Sequence, residues 1–201
     1  GKSIFALSKI DNKHILVGTS DGLYLVTFEN NNYITKKLNT SNKTNPIVFS
    51  IAHVKNHYWL GTDNNLMSFT LTNDFELVNR VTYKNLIKSS LNSINFVRIV
   101  KYDPTHNFLW IGTQTKGLVV AKLNNDFTIK NFSHYNQNPN SLDTNDYICD
   151  ILLDNINNGW IGTKNGLFQI KLSKDGAASK IKKFTIRDGL PSNLIQSIET
   201  D

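Results

Sequence analysis

The sequence predicts an all-β chain of repeated four-stranded antiparallel sheets, on three observations. A short Trp-and-glycine stretch recurs at near-constant spacing. Each copy continues into a turn pair and a second apolar run. β-Branched and aromatic residues crowd these runs, and no helical period extends far along the 201 residues.

The clearest copy is Trp160-Ile161-Gly162-Thr163 followed by Gly166-Leu167. Trp110-Ile111-Gly112-Thr113 with Gly117-Leu118 repeats it, as does Trp59-Leu60-Gly61-Thr62 with Asn65-Leu66. A worn copy, Leu16-Val17-Gly18-Thr19 with Gly22-Leu23, opens the chain. The motif glycines Gly18, Gly61, Gly112 and Gly162 lie 43, 51 and 50 residues apart. Spacings of about 40 to 50 residues belong to propeller blades or helical arrays.

Each copy reads as a hairpin. The turn pairs are Asp21-Gly22, Asn64-Asn65, Lys116-Gly117 and Asn165-Gly166. Asp-Gly and Asn-Gly point to a type I′ turn, which needs positive φ at both central residues. The third copy carries one extra residue, so a longer turn or a bulge is expected there. The glycine before threonine leaves room for a neighbouring chain to approach. Trp59, Trp110 and Trp160 then read as apolar anchors between adjacent sheets, not as ligand contacts.

The strands follow in order. The first unit, residues 3–38, has strands near Ser3 to Leu7, Ile15 to Thr19, Leu23 to Phe28 and Tyr33 to Leu38. The second, 46–83, has them near Ile47 to Ala52, Tyr58 to Thr62, Leu66 to Leu71 and Phe75 to Val81. In the third, 94–134, they fall near Ile94 to Val100, Phe108 to Thr113, Leu118 to Leu123 and Phe127 to Phe132. In the fourth, 146–186, they fall near Tyr147 to Leu153, Trp160 to Thr163, Leu167 to Leu172 and Ile181 to Ile186. Residues 188–201 open a fifth unit, with Leu194 to Ile198 as its first, innermost strand. Lys84 to Leu91 is the best place for a single helical turn. Four-stranded antiparallel units with Gly and Trp signatures read as β-propeller blades. Four blades plus one extra inner strand read as an open fragment of a larger propeller.

Composition narrows the function. The chain is 39% hydrophobic, which suffices for a core, and no run approaches the roughly 18 apolar residues of a membrane helix. Gly1-Lys2-Ser3 is no signal peptide and looks like a cut inside a longer protein. The single cysteine, Cys149, forms no disulfide within the chain and reads as a small buried hydrophobe. The net charge of +6 comes from scattered lysines (Lys36-Lys37, Lys84, Lys88, Lys180, Lys182-Lys183), a solvated surface and not a nucleic-acid face. His53 and His57 stand four apart but flank a strand turn, so no metal site is expected. The residues compose no Ser-His-Asp set and no phosphate-binding glycine loop. Neither a catalytic residue nor a cofactor is expected.

The motifs resemble the two-component regulator propeller repeat. Asp188-Gly189-Leu190-Pro191-Ser192-Asn193 fits the opening of that repeat fully, and Ser141-Leu142 with Asn145 fits it loosely. The Trp-Ile-Gly-Thr and Gly-Leu elements fit in the third and fourth units and more loosely in the first two. The resemblance implies an extracytoplasmic, periplasmic sensor region of a hybrid two-component histidine kinase. It implies that the larger propeller is roughly seven-bladed, and it implies a glycan-derived ligand, control of carbohydrate-utilisation genes, and membrane attachment only through other parts of the protein.

In propellers the between-blade loops share a face with the second-to-third-strand turns. The loop from Ser133 to Asp146 is the longest and mixes aromatic and amide groups. His134, Tyr135, Asn136 and Asn138 are therefore the candidate contacts for an oligosaccharide, against the plainer reading of a solvated loop. Large apolar blade faces suggest self-association, as a dimer. Three functions stay open: a non-catalytic sensor, a protein-interaction scaffold with the ligand bound elsewhere, and a propeller lyase or hydrolase.

Overall fold

A computed structural model describes residues 1–40, 45–83, 96–135, 147–154, 158–173 and 178–200. The first sheet contains β1 (Ile4–Lys9), β2 (His14–Thr19), β3 (Gly22–Glu29) and β4 (Asn32–Leu38). The second contains β5 (Val48–Val54), β6 (His57–Thr62), β7 (Asn65–Leu71) and β8 (Leu77–Tyr83). The third contains β9 (Val97–Asp103), β10 (Phe108–Thr113), β11 (Leu118–Leu123) and β12 (Ile129–Tyr135). The fourth contains β13 (Ile148–Leu153), β14 (Asn158–Thr163), β15 (Gly166–Leu172) and β16 (Ala178–Phe184). Each sheet is antiparallel with its strands in chain order. The chain divides into two compact units, residues 1–97 and 98–201.

The second strands show why the motif runs are so apolar. β6 and β10 are buried along their whole length, so both faces of the strand meet side chains. The fourth strands are mostly exposed, and their sequences are correspondingly polar. In the first unit Leu16, Leu23, Leu25 and Leu38 pack with Val48, Tyr58, Leu60 and Phe69 of the neighbouring sheet. In the second, Phe108, Trp110, Leu118 and Val120 pack with Ile148, Ile151, Ile161 and Phe168.

The motif glycine makes this packing close. A Cβ on Gly18 would meet Val48 at 2.8 Å, and one on Gly61 would meet the Val97 carbonyl at 2.7 Å. One on Gly112 would meet Ile148 at 2.6 Å, and one on Gly162 would meet Ile195 at 3.0 Å. Three times the first residue of the next strand seats itself against the glycine, and the fourth time Ile195 does. The expected room for a neighbour is therefore present. Trp110 is an anchor between sheets as expected, because its six-membered ring packs on Gly159, where a Cβ would lie 2.3 Å away. Trp59 is fully buried beside His57. Trp160 is half-buried, stacks on Phe184, and donates from Nε1 to Asp154 at 2.9 Å.

The turns correct the sequence reading. Gly22, Asn65, Gly117 and Gly166 have positive φ, but Asp21, Asn64, Lys116 and Asn165 do not. The turns are thus not type I′, and the positive-φ residue closes the turn from its last position. The motif threonine supplies the reason. Thr163 Oγ accepts from the Asn165 amide at 3.0 Å and donates to the Gly166 carbonyl at 2.9 Å. Thr19, Thr62 and Thr113 do the same in their own turns. This internal clamp holds the turn without a second positive-φ residue. The extra residue of the third copy lengthens the loop between Thr113 and Gly117, as expected.

Two further expectations change. Leu194 to Ile198 is not a strand, because among the described residues it has no antiparallel partner. It nonetheless passes the fourth sheet, with the Ile195 amide donating to the Thr163 carbonyl at 2.9 Å and the Ile198 amide to Asp150. Asp188-Gly189 closes a short 3-10 turn, Ile186–Asp188, capped by Thr185. Cys149 is half-buried, not buried, because it sits at the β-bulge between Ile148 and Asp150. The single helical turn expected at Lys84 to Leu91 lies outside the described residues.

Two substitutions test the glycine seat and the threonine clamp. Gly61→Ala costs about 1–3 kcal/mol in urea unfolding, because the new methyl meets the Val97 backbone carbonyl as well as the Ser50 hydroxyl, whereas Gly1→Ala meets nothing and changes nothing. Thr163→Val, which keeps shape but breaks the turn clamp, costs about 1–2 kcal/mol in the same assay.

Candidate functional site

Strand register puts the start of β1, β5 and β13 beside the threonine turns, since Ile4 pairs with Thr19, Val48 with Thr62 and Ile148 with Thr163. The end of β12 lies there too, with Tyr135 opposite Leu118. This end of each sheet carries the candidate functional groups.

In the first unit Asp21 accepts from Lys2, from Lys37 at 2.9 Å and from the Tyr24 hydroxyl at 2.9 Å. The Lys2 and Lys37 ammonium groups and the Tyr24 hydroxyl hold the Asp21 carboxyl well below the usual range. The hydrogen bond to Asp21 raises the Lys2 ammonium in turn. Both lysines also lie over the Tyr24 ring, at 5.8 and 5.7 Å. Phe5 and Phe49 stand 5.3 Å apart, and Phe49 and Phe96 stand 6.5 Å apart. Phe5 and Phe49 occupy β-bulges, which turn their side chains out of the ladder.

In the second unit Tyr147 receives two cations, Arg98 at 5.7 Å and Lys164 at 4.2 Å from the ring centre. Cys149 follows two residues on, and burial pushes its thiol up, against the pull of Lys164 and Arg98. A raised thiol is a poor nucleophile near neutral pH. The arrangement offers cationic donors and an aromatic face, which suit a ligand rich in oxygen acceptors.

The predicted contact residues separate. His134 and Tyr135 lie in β12, not in the following loop. His134 Nε2 faces the Lys116 carbonyl. Tyr135 belongs to the core of the second unit. Asn136 and Asn138 lie outside the described residues. The structure brings none of the four together around a shared space among the described residues.

Sequence reasoning missed the other end of the sheets. Asp11 Oδ1 accepts the amides of Lys13 and His14, and His14 Nδ1 lies 2.9 Å from the same carboxylate. Asp103 does the same for Thr105 and His106, with His106 Nδ1 at 2.7 Å. The signal was a second repeat, Asp-x-x-His, read off at 11–14 and 103–106. These carboxylates shape their own turns. Among the described residues no group of three or more His, Cys, Asp or Glu is placed to hold a metal ion.

No family model matches the chain, and no curated protein matches it. Solved structures do. The extracellular domain of the putative hybrid two component system BT4673 from B. thetaiotaomicron superposes with a TM-score of 0.71 at 20% identity, covering 96% of this chain and 24% of that one. That of BT3049 from the same organism gives 0.66 at 21% identity, again covering 96% of this chain and 24% of that one. The β-propeller domain of Myceliophteria_thermophila Cps50 (Swd1) gives 0.63 at 10% identity over 85% of this chain and 56% of its own. The four sheets are β-propeller blades. The blades span about a quarter of the length of the two extracellular domains.

The Asp11 turn yields a solution test. Amide donation from Lys13, then the His14 contact, lowers the Asp11 carboxyl below its ordinary 3.8. The folded value lies below the unfolded one, so the contribution is present above the unfolded pKa and is lost as pH falls through the folded one. A carboxyl NMR titration should place the Asp11 midpoint below 3.8, and Asp11→Asn should flatten the acid limb of the stability profile.

Proposed function

We propose that these blades are part of the extracytoplasmic, periplasmic sensor module of a hybrid two-component signalling protein, itself non-catalytic. The observation that carries this reading is the likeness over 96% of the chain to the extracellular domain of the putative hybrid two component system BT4673. The Trp-Ile-Gly-Thr and Asp-Gly-Leu-Pro-Ser-Asn motifs, which resemble the regulator propeller repeat, support it independently. The blade limits of 3–38, 46–83, 94–134 and 146–186, with 188–201 opening the next, belong to the same reading. The full protein would carry a histidine kinase and control carbohydrate-utilisation genes.

The proposed ligand is a glycan fragment. It would meet the ends of the blades that carry the threonine turns, where aromatic rings and cationic donors stand together: Phe5 and Phe49 in one unit, Tyr147 with Arg98 and Lys164 in the other. The contacts expected from the sequence, His134, Tyr135, Asn136 and Asn138, stay part of this proposal. Aromatic faces with nearby donors suit the apolar faces and hydroxyl oxygens of sugars.

A scaffold reading is favoured by a different observation. Ile4 and Leu7 of β1 are 65% and 68% exposed, whereas their counterparts Val48 and Ile151 in other blades are buried. Such residues suit docking of another apolar surface, a further blade of the same protein or a second copy included.

Isothermal titration against a panel of oligosaccharides distinguishes these readings. The sensor reading predicts saturable heat with one glycan and no product over a time course. Silence across the panel together with a concentration-dependent dimer in light scattering would replace it with the scaffold reading. Product formation would replace both with a lyase or hydrolase.

A further inference from the structure

Between the third and fourth sheets, at the end away from the threonine turns, lies a cleft with room for a single water molecule. Asp103, Thr105, His106, Trp110, Asp154 and Asn158 line it. Trp110 is 2% exposed, and its Nε1–H meets no hydrogen-bond partner among the described residues. Asp103 is also buried, at 8%. A buried N–H left unmade costs the full desolvation of the group, so such a donor calls for an acceptor.

The repeat shows which acceptor. In the fourth sheet the equivalent tryptophan, Trp160, donates directly to Asp154 Oδ2 at 2.9 Å. Asp154 follows Ile148 by six residues, and Asp103 follows Val97 by six, so the two carboxylates hold the same place in their blades. The carboxylate of Asp103, however, is committed elsewhere. Its Oδ1 accepts from the Thr105 and His106 amides, and its Oδ2 meets His106 Nδ1 at 2.7 Å. The histidine that the third blade has and the fourth lacks thus takes the place of the indole.

We propose that this cleft binds one neutral hydroxyl guest, a water molecule, which accepts from Trp110 Nε1–H and donates to the Asp103 or Asp154 carboxylate. Charge and size select it. Two carboxylates disfavour an anion, and a cation such as ammonium has no lone pair for the indole. Water has both a donor and an acceptor and matches the room available.

Two measurements test this on the whole chain. A high-resolution crystal structure should show an ordered solvent peak within hydrogen-bond distance of Trp110 Nε1 and of one of these carboxylates. A cleft without that peak, or an indole bonded directly to Asp103, overturns the proposal. The second measurement replaces Trp110 by 3-benzothienylalanine, which keeps the ring shape but has no N–H. Loss of a made hydrogen bond should lower the folding equilibrium constant about fivefold. An unchanged or raised constant means that the donor had no partner, and it overturns the proposal equally.

Discussion

Everything in these blades depends on a single absence, the missing Cβ of the motif glycine. Where Gly18, Gly61 and Gly112 stand, the next segment of chain approaches to a distance that a side chain would forbid, and at Gly162 it comes close enough to crowd one. The approach is made by Val48, Val97 and Ile148, each the first residue of the strand that comes next in the chain, and by Ile195 after the fourth sheet. One sheet of this kind has an apolar face that it cannot cover by itself. The repeated seat lets the next sheet cover it, and this produces the pattern of buried second strands and exposed fourth strands.

The threonine next to that glycine has a separate task. It anchors the turn by accepting one amide and donating to one carbonyl, and so fixes the hairpin whose first strand carries the glycine. Packing and turn geometry are therefore written in adjacent residues. This adjacency explains why the four-residue motif persists in copies whose flanks differ freely, from Asp21-Gly22 to Asn64-Asn65.

Much of this was legible in the chain itself. The spacing of the glycines gave four sheets, and the alternation of apolar runs with turn residues placed most strands within a few positions. The turn class was misread because Asp-Gly and Asn-Gly favour type I′ by local preference, whereas the Thr Oγ clamp stabilises a different closure. Leu194 to Ile198 has strand composition but lacks a ladder partner, and pairing, not composition, makes a strand. Tyr135 looked like a loop residue because polar residues surround it, yet the register carries β12 far enough to bury it. The Asp-x-x-His turns went unseen because the repeat was sought in apolar residues alone. The cationic pair around Tyr147 could not be foreseen, since Arg98, Tyr147 and Lys164 come from three separate strands and turns.

The central claim concerns physical contact between the glycine and the incoming apolar side chain, and a double-mutant cycle on Gly112 and Ile148 measures it most directly. In Gly112→Ala the new methyl collides with Ile148 Cγ2, whose present distance from that Cβ position is 2.6 Å. Shortening the partner in Ile148→Ala removes that contact and leaves those with Ile99 Cγ2 at 2.5 Å and with the residue-148 Cβ at 2.9 Å, so the relief is partial. The account predicts that the double variant is more stable than the sum of the single losses by about 1 kcal/mol or more. Losses that add within about 0.5 kcal/mol would mean that the two residues do not meet, and would contradict it.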